Sequence, residues 1–250
     1  MSAELELALE LADIADVVTM ASFRDRDLVV DSKPDMSFVS AADRGAEEAL
    51  RARLANARPD DVVFGEELGT TGAPGPGRVR WILDPIDGTH NYVRNVPVWA
   101  TLIATEVDGV VTSGVVSAPA LGRRWWAARG EGAFATGGVP LHVSRVAGLD
   151  EAHVSSGWDE MLWSPAFHEF TRRCWRTRGF GDFWSVVLVA EGAVDVAIEP
   201  GYAWDLAPLY VIVEEAGGRC TSLAGESSLD AGHVVATNGL LHDEVLEALS

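Results

Sequence analysis

The chain has 250 residues, 48% of them hydrophobic and 23% charged, which supplies a sizeable core and excludes intrinsic disorder. Nineteen basic against 38 acidic residues give a formal net charge of −19, which argues against nucleic acid or an anionic membrane as partner. Two cysteines, Cys174 and Cys220, provide neither a disulfide framework nor a cysteine-type zinc site. The longest uncharged stretch, Gly109 to Gly122, is too short to span a bilayer. The acidic start, Met1 to Glu6, is unlike a secretory leader, so a cytoplasmic protein with reduced thiols is expected.

Leu7, Leu11, Ile14 and Val18 recur at helical spacing and predict an amphipathic helix over residues 4–22. A second helix is expected from Ala41 to Ala57, closed by Pro59. Val62–Phe64 and Val79–Leu83 read as short buried strands, with Gly69–Gly77 between them as a mobile Gly- and Pro-rich loop. Trp99–Val107 and Val110–Ser117 flank Asp108-Gly109, a strong hairpin signal, and Arg123–Ala128 adds an antiparallel strand. Beyond Leu141 the rhythm changes. Strands near 152–155, 194–198, 219–222 and 233–236 alternate with helices over Pro165–Trp175, Asp182–Glu191, Trp204–Ala216 and Leu240–Leu249. The expected organisation is an α+β half over 1–140, with an antiparallel sheet and most metal ligands, and an α/β half over 141–250 completing the site.

The most informative segment, Trp81 to Thr89, runs an apolar strand into two aspartates three apart, then into Gly-Thr at a helix start. Asp84 stands where the strand stops pairing, Pro85 fixes the turn and Gly88 permits a close backbone approach. Thr89 offers a hydroxyl, and a new helix offers N–H groups to a phosphate. Two carboxylates with neighbouring carbonyls make a hard, oxygen-only donor set that suits Mg²⁺ rather than zinc. Taken alone, the pair is as often an Asp-rich turn with a helix cap. Two further acidic elements shift the balance: Gly65-Glu66-Glu67 after a strand, and Trp204-Asp205-Leu206-Ala207 opening a helix, where Asp205 also suits the positive helix end.

These three elements, in this order and at this spacing, resemble the inositol monophosphatase family, and Glu215-Ala216-Gly217-Gly218 extends the match. The likeness runs from Lys33-Pro34-Asp35 to Ala236-Thr237-Asn238 and implies the family's fold, an α/β (α+β) layered αβαβα sandwich. Within the family, Asn95–Ala100, Val116–Leu121, Arg124–Gly130 and Ala236–Val245 are most similar to the actinobacterial branch that acts on L-histidinol phosphate. Inositol 1-phosphate or a broader range of sugar phosphates is the alternative substrate class.

The resemblance implies that Glu66, Asp84, Asp87 and Asp205 are side-chain ligands of Mg²⁺, two or three ions per site, with the Ile86 carbonyl completing the set. It makes Ile86, Asp87, Gly88, Thr89 and Asp205 substrate contacts as well. Glu66 and Thr89 would hold an attacking water, and Asp43 would polarise Thr89, although Ser40-x-x-Asp43 also reads as a capping box. Phosphate monoester hydrolysis is extremely slow unaided, so catalysis must be largely electrostatic. Bound cations reconcile a small-molecule phosphate monoester with so negative a chain. Histidinol carries an amine and an imidazole, so Asp182, Glu199 and Asp205 are candidate acceptors, while Arg178 matches a substrate-contacting arginine of that branch. Lys33, the chain's one lysine, stands where the family has a loop lysine, and Glu67 is expected outside the ligand set. Pro208 is expected in a first helical turn, where proline is tolerated. A homodimer is also implied, with Trp125-Trp126 as an exposed aromatic strand.

Overall fold

Ser2 opens the first helix, α1 (Ala3–Ser22), by accepting the Leu5 N–H on its hydroxyl at 3.1 Å. In this computed structural model, which describes residues 1–32 and 38–249, a short hairpin follows, β1 (Val30–Ser32) with β2 (Phe38–Ser40). The expectation for Lys33 falls outside the described residues. Ser40 then caps α2 (Ala41–Ala57). Next come β3 (Val62–Gly65), β4 (Gly69–Thr71), β5 (Val79–Asp87) and the short helix α3 (Thr89–Val93). Strands β6 (Ala100–Val107), β7 (Val110–Ala118), β8 (Arg123–Ala128), β9 (Gly132–Ala135) and β10 (Val139–Pro140) complete a sheet of order β10-β9-β8-β7-β6-β5-β3-β4. Its pairs are antiparallel except β3 with β5.

The remaining chain gives β11 (His153–Ser156), α4 (Asp159–Leu162), α5 (Pro165–Arg172), β12 (Arg176–Arg178) and α6 (Asp182–Ala190). It closes with β13 (Val196–Pro200), α7 (Ala203–Glu215), β14 (Arg219–Thr221), β15 (His233–Thr237) and α8 (His242–Leu249). Its five strands form a second sheet of order β12-β11-β13-β15-β14.

Period-two alternation sorts the central strands into layers. Trp81, Leu83, Ile103 and Val115 point to one face and pack with Leu11 and Ala15 of α1 and Leu50 and Leu54 of α2. Their neighbours Ile82, Leu102, Ala104 and Val116 point the other way, onto Val187, Leu209 and Val213 of α6 and α7. The far side of α6 and α7 meets Ala197, Val234 and Ala236 of the second sheet. That sheet turns Val196, Ile198 and Val235 outward onto Phe167, Phe170 and Val245. The result is the expected αβαβα sandwich, and each fully buried Leu or Ile contributes about 1.5–3 kcal/mol to it. Among the described residues no helix is long and apolar enough to cross a membrane.

Several local expectations are corrected. Gly69–Thr71, read as mobile loop, pairs with β3 as a strand. Trp125, expected exposed, is fully buried against Phe183, and Trp126 is half-buried beside Phe134. Pro208 lies in the second turn of α7, where its missing N–H leaves the Trp204 carbonyl without its intrahelical donor.

Candidate active site

The aspartate pair owes its geometry to a defect in β5. Residues three apart in a regular strand face opposite sides of the sheet. Here Asp84 opposes Leu102 and Asp87 opposes Ala100, so three steps on β5 match two on β6. This one-residue bulge restores both carboxylates to one side. Two bonds hold it: the Ile86 N–H donates to Asp84 Oδ1 at 2.9 Å, and Thr101 Oγ1 donates to the Pro85 carbonyl at 2.7 Å. Asp205 arrives from the first turn of α7, where the Tyr202 N–H donates to its Oδ2 at 2.6 Å. Asp84, Asp87 and Asp205 thereby bring one oxygen each within 4.8 Å of one another.

Glu66 comes from the turn after β3, and its side chain is hydrogen-bonded with Asp84. Its N–H donates to the Leu83 carbonyl at 3.1 Å, which ties that turn to β5. Thr89 begins α3, and its hydroxyl lies 3.0 Å from the Ile86 carbonyl and 3.5 Å from Asp43 Oδ1. Asp43 meets the geometry of both sequence readings. It accepts the Ser40 N–H at 2.7 Å in a complete capping box, and it faces Thr89. Gly88 precedes α3 at φ +78°, but α3 has five residues, so the helix dipole offered to a phosphate is that of little more than one turn.

The carboxyls are crowded. Burial, then Glu66, Asp205 and Asp87, hold Asp84 well above the usual carboxylate range. Burial, then Asp182 and Asp205, does the same to Asp87. Asp205 is pushed up to about 7 by burial, against the Tyr202 N–H that favours its charged form, and burial raises Asp43 to about 6. Converging oxygens that resist ionisation together are what a divalent cation relieves, so the residues present fit a hard metal ion.

Beside the cluster lies a cavity of about 270 Å³ lined by Asp87, Gly157, Asp182, Glu199, Tyr202 and Asp205, among others. Glu199 is 3% exposed, accepts the Gly157 N–H on both oxygens at 2.9 and 3.0 Å, and is raised to about 8 by burial. Asp182 sits on the open rim, where burial raises its carboxyl above the ordinary range, and Asn91 Nδ2 donates to it at 3.4 Å. Arg178 ends the exposed edge strand β12 and is not among the residues that line this cavity. Sequence reasoning missed Gly157 and Tyr202, whose roles depend on tertiary proximity. It also missed Glu47, whose place in the buried Ala42-Ala46-Leu50-Leu54 stripe of α2 was a readable signal.

The sequence profile of the inositol monophosphatase family matches residues 1–250. The histidinol-phosphatase of Mycobacterium tuberculosis is 54% identical over 256 residues, covering 99% of this chain and 98% of that protein. The histidinol-phosphatase of Streptomyces coelicolor is 50% identical over 260 residues, covering 99% and 97%. Among solved structures, the Thermotoga maritima IMPase superposes with a TM-score of 0.89 at 30% identity, covering 99% of this chain and 97% of that one. This layered, acidic-centred chain belongs to the inositol monophosphatase family, whose members are metal-dependent phosphatases.

Proposed function

We propose that this chain hydrolyses L-histidinol phosphate to L-histidinol and phosphate. The observation that carries the reading is identity of 50–54% to histidinol-phosphatases along nearly the whole chain. The acidic cavity wall of Asp182 and Glu199 beside the aspartate cluster agrees with it. Glu66, Asp84, Asp87, Asp205 and the Ile86 carbonyl would hold two or three Mg²⁺ ions. Those cations supply positive charge against the phosphate and acidify water.

The protein's own groups provide orientation. Thr89 donates its hydroxyl hydrogen bond to Asp43 or to the Ile86 carbonyl, which leaves a lone pair of Oγ1 free to accept a hydrogen bond from the attacking water and so orient it. Glu66 would hold the same water. Gly88 and Thr89 contact the phosphate, while Asp182 and Glu199 accept the ammonium and imidazole of the leaving group. A cation at Glu199 favours its ionised form, which burial alone disfavours. The reading includes a cytoplasmic homodimer, with family membership as its support.

The test is a comparison of kcat/KM for histidinol phosphate and inositol 1-phosphate in Mg²⁺. A preference for histidinol phosphate of at least a hundredfold is expected. Equal or reversed preference would sink the substrate while leaving phosphatase activity standing.

A further inference from the structure

We infer that Glu47 of α2, which does not line the cavity beside the aspartates, is the positioning residue that sets Glu66 for cation binding. The inference rests on the proposed metal role of Glu66. The turn joining β3 to β4 consists of Glu66, Glu67 and Leu68, and each of its three N–H groups has a partner. Glu66 donates to the Leu83 carbonyl at 3.1 Å, Glu67 to Glu47 Oε2 at 2.8 Å and Leu68 to Glu47 Oε1 at 3.2 Å. Successive N–H groups turned toward one carboxylate form an anion nest, and their bonds are charge-assisted.

Arg51, one turn further along α2, aims that carboxylate by donating from Nε to Oε1 at 2.7 Å. The same guanidinium reaches Thr71 Oγ1 at 3.0 Å and the Gly69 carbonyl, so it grips the outgoing strand as well. Glu47 is completely buried. Gly65 makes room for it: a Cβ there would lie 2.0 Å from Oε1 and 2.4 Å from the carboxyl carbon. The Glu66 backbone is therefore pinned on both sides, by β5 through Leu83 and by α2 through Glu47. From that fixed backbone its side chain hydrogen-bonds with Asp84.

The perturbation is Glu47→Gln, which keeps size but offers one acceptor oxygen to two N–H groups. Gly65→Ala displaces the same carboxylate by contact. Isothermal titration of Mg²⁺ into chelator-stripped protein should show affinity weakened about 10–100-fold in both variants, the usual cost of losing an outer support of a metal site. The Mg²⁺ concentration for half-maximal activity should rise in parallel, while substrate KM at saturating Mg²⁺ stays unchanged and excess Mg²⁺ restores kcat. Arg53→Ala, on the same helix but paired with Glu10 at the surface, should match the parent. Wild-type Mg²⁺ affinity in folded Glu47→Gln would overturn the inference. Should Glu47→Gln not fold, Arg51→Met, which leaves the carboxylate and removes its aim, decides the matter, and unchanged affinity there overturns it equally. Absence of Mg²⁺ binding by the parent chain would overturn the metal reading itself and this inference with it.

Discussion

Replacing Asp205 by Asn should stabilise the metal-free protein and abolish its response to Mg²⁺. Burial holds this carboxyl at about 7 instead of its ordinary 3.8, even with the Tyr202 N–H donating to it at 2.6 Å. Ionising it at pH 8 without a cation therefore costs on the order of 4 kcal/mol. Asparagine keeps an oxygen for the Tyr202 N–H and discards the charge. Relaxation and water entry in a half-buried site reduce the gain to about 2 kcal/mol, or roughly 4–8 °C in Tm for a chain of this size.

The sign follows from proton linkage. A raised native pKa means that the metal-free fold loses stability as pH climbs from about 4 through 7, so the advantage of Asn should be full at pH 8 and vanish near pH 4. Scanning calorimetry in EDTA, repeated in millimolar Mg²⁺, measures both effects. An Asp205→Asn protein that melts below its parent in EDTA would refute the reasoning. A variant that gains as much Tm from Mg²⁺ as the parent would refute it too.

Glu199→Gln should melt with its parent at pH 5 and above it at pH 9, because burial raises Glu199 to about 8 and the fold resists its ionisation across that window; parallel melting curves at both pH values would contradict this. Thr89→Ala removes the hydroxyl between Asp43 and the Ile86 carbonyl, so kcat should fall by about a hundredfold with Mg²⁺ affinity retained, as steady-state kinetics and titration will show. Gly114→Ala places a Cβ 2.7 Å from the Pro208 Cα and 2.8 Å from its carbonyl oxygen, where α7 crosses β7. Backbone cannot yield as a side chain can, so a loss of about 1–3 kcal/mol in urea denaturation is expected, and an unchanged midpoint would show that the layers part easily.

The layers were legible because hydrophobic period reports them directly. Leu7, Leu11, Ile14 and Val18 mark α1, and the Asp108-Gly109 turn marks the β6–β7 hairpin. Asp84 and Asp87 were legible as residues but not as geometry. Their odd spacing in a strand argues for opposite faces, and only the pairing with β6 reveals the bulge that unites them. Strands such as β4 and β12 were missed because Gly69–Thr71 and Arg176–Arg178 are exposed edge segments with no apolar alternation to read. Trp125-Trp126 misled for the opposite reason: composition does not say which face of β8 is covered, and α6 covers Trp125. Glu47 went unread in the sequence, although its i, i+4 relation to Asp43 places both on the inward stripe.

Asp84 and Asp87 belong to the eight-stranded sheet, whereas Asp205 belongs to the helical tier between the sheets. An ion gripped by all three would act as a rivet through two floors of the building. Withdrawing it by chelation should then loosen the seam between them, so that amide deuteration quickens at the Asp84–Thr89 corner and the head of α7 together, while α5 and α8 on the outer wall keep their protection.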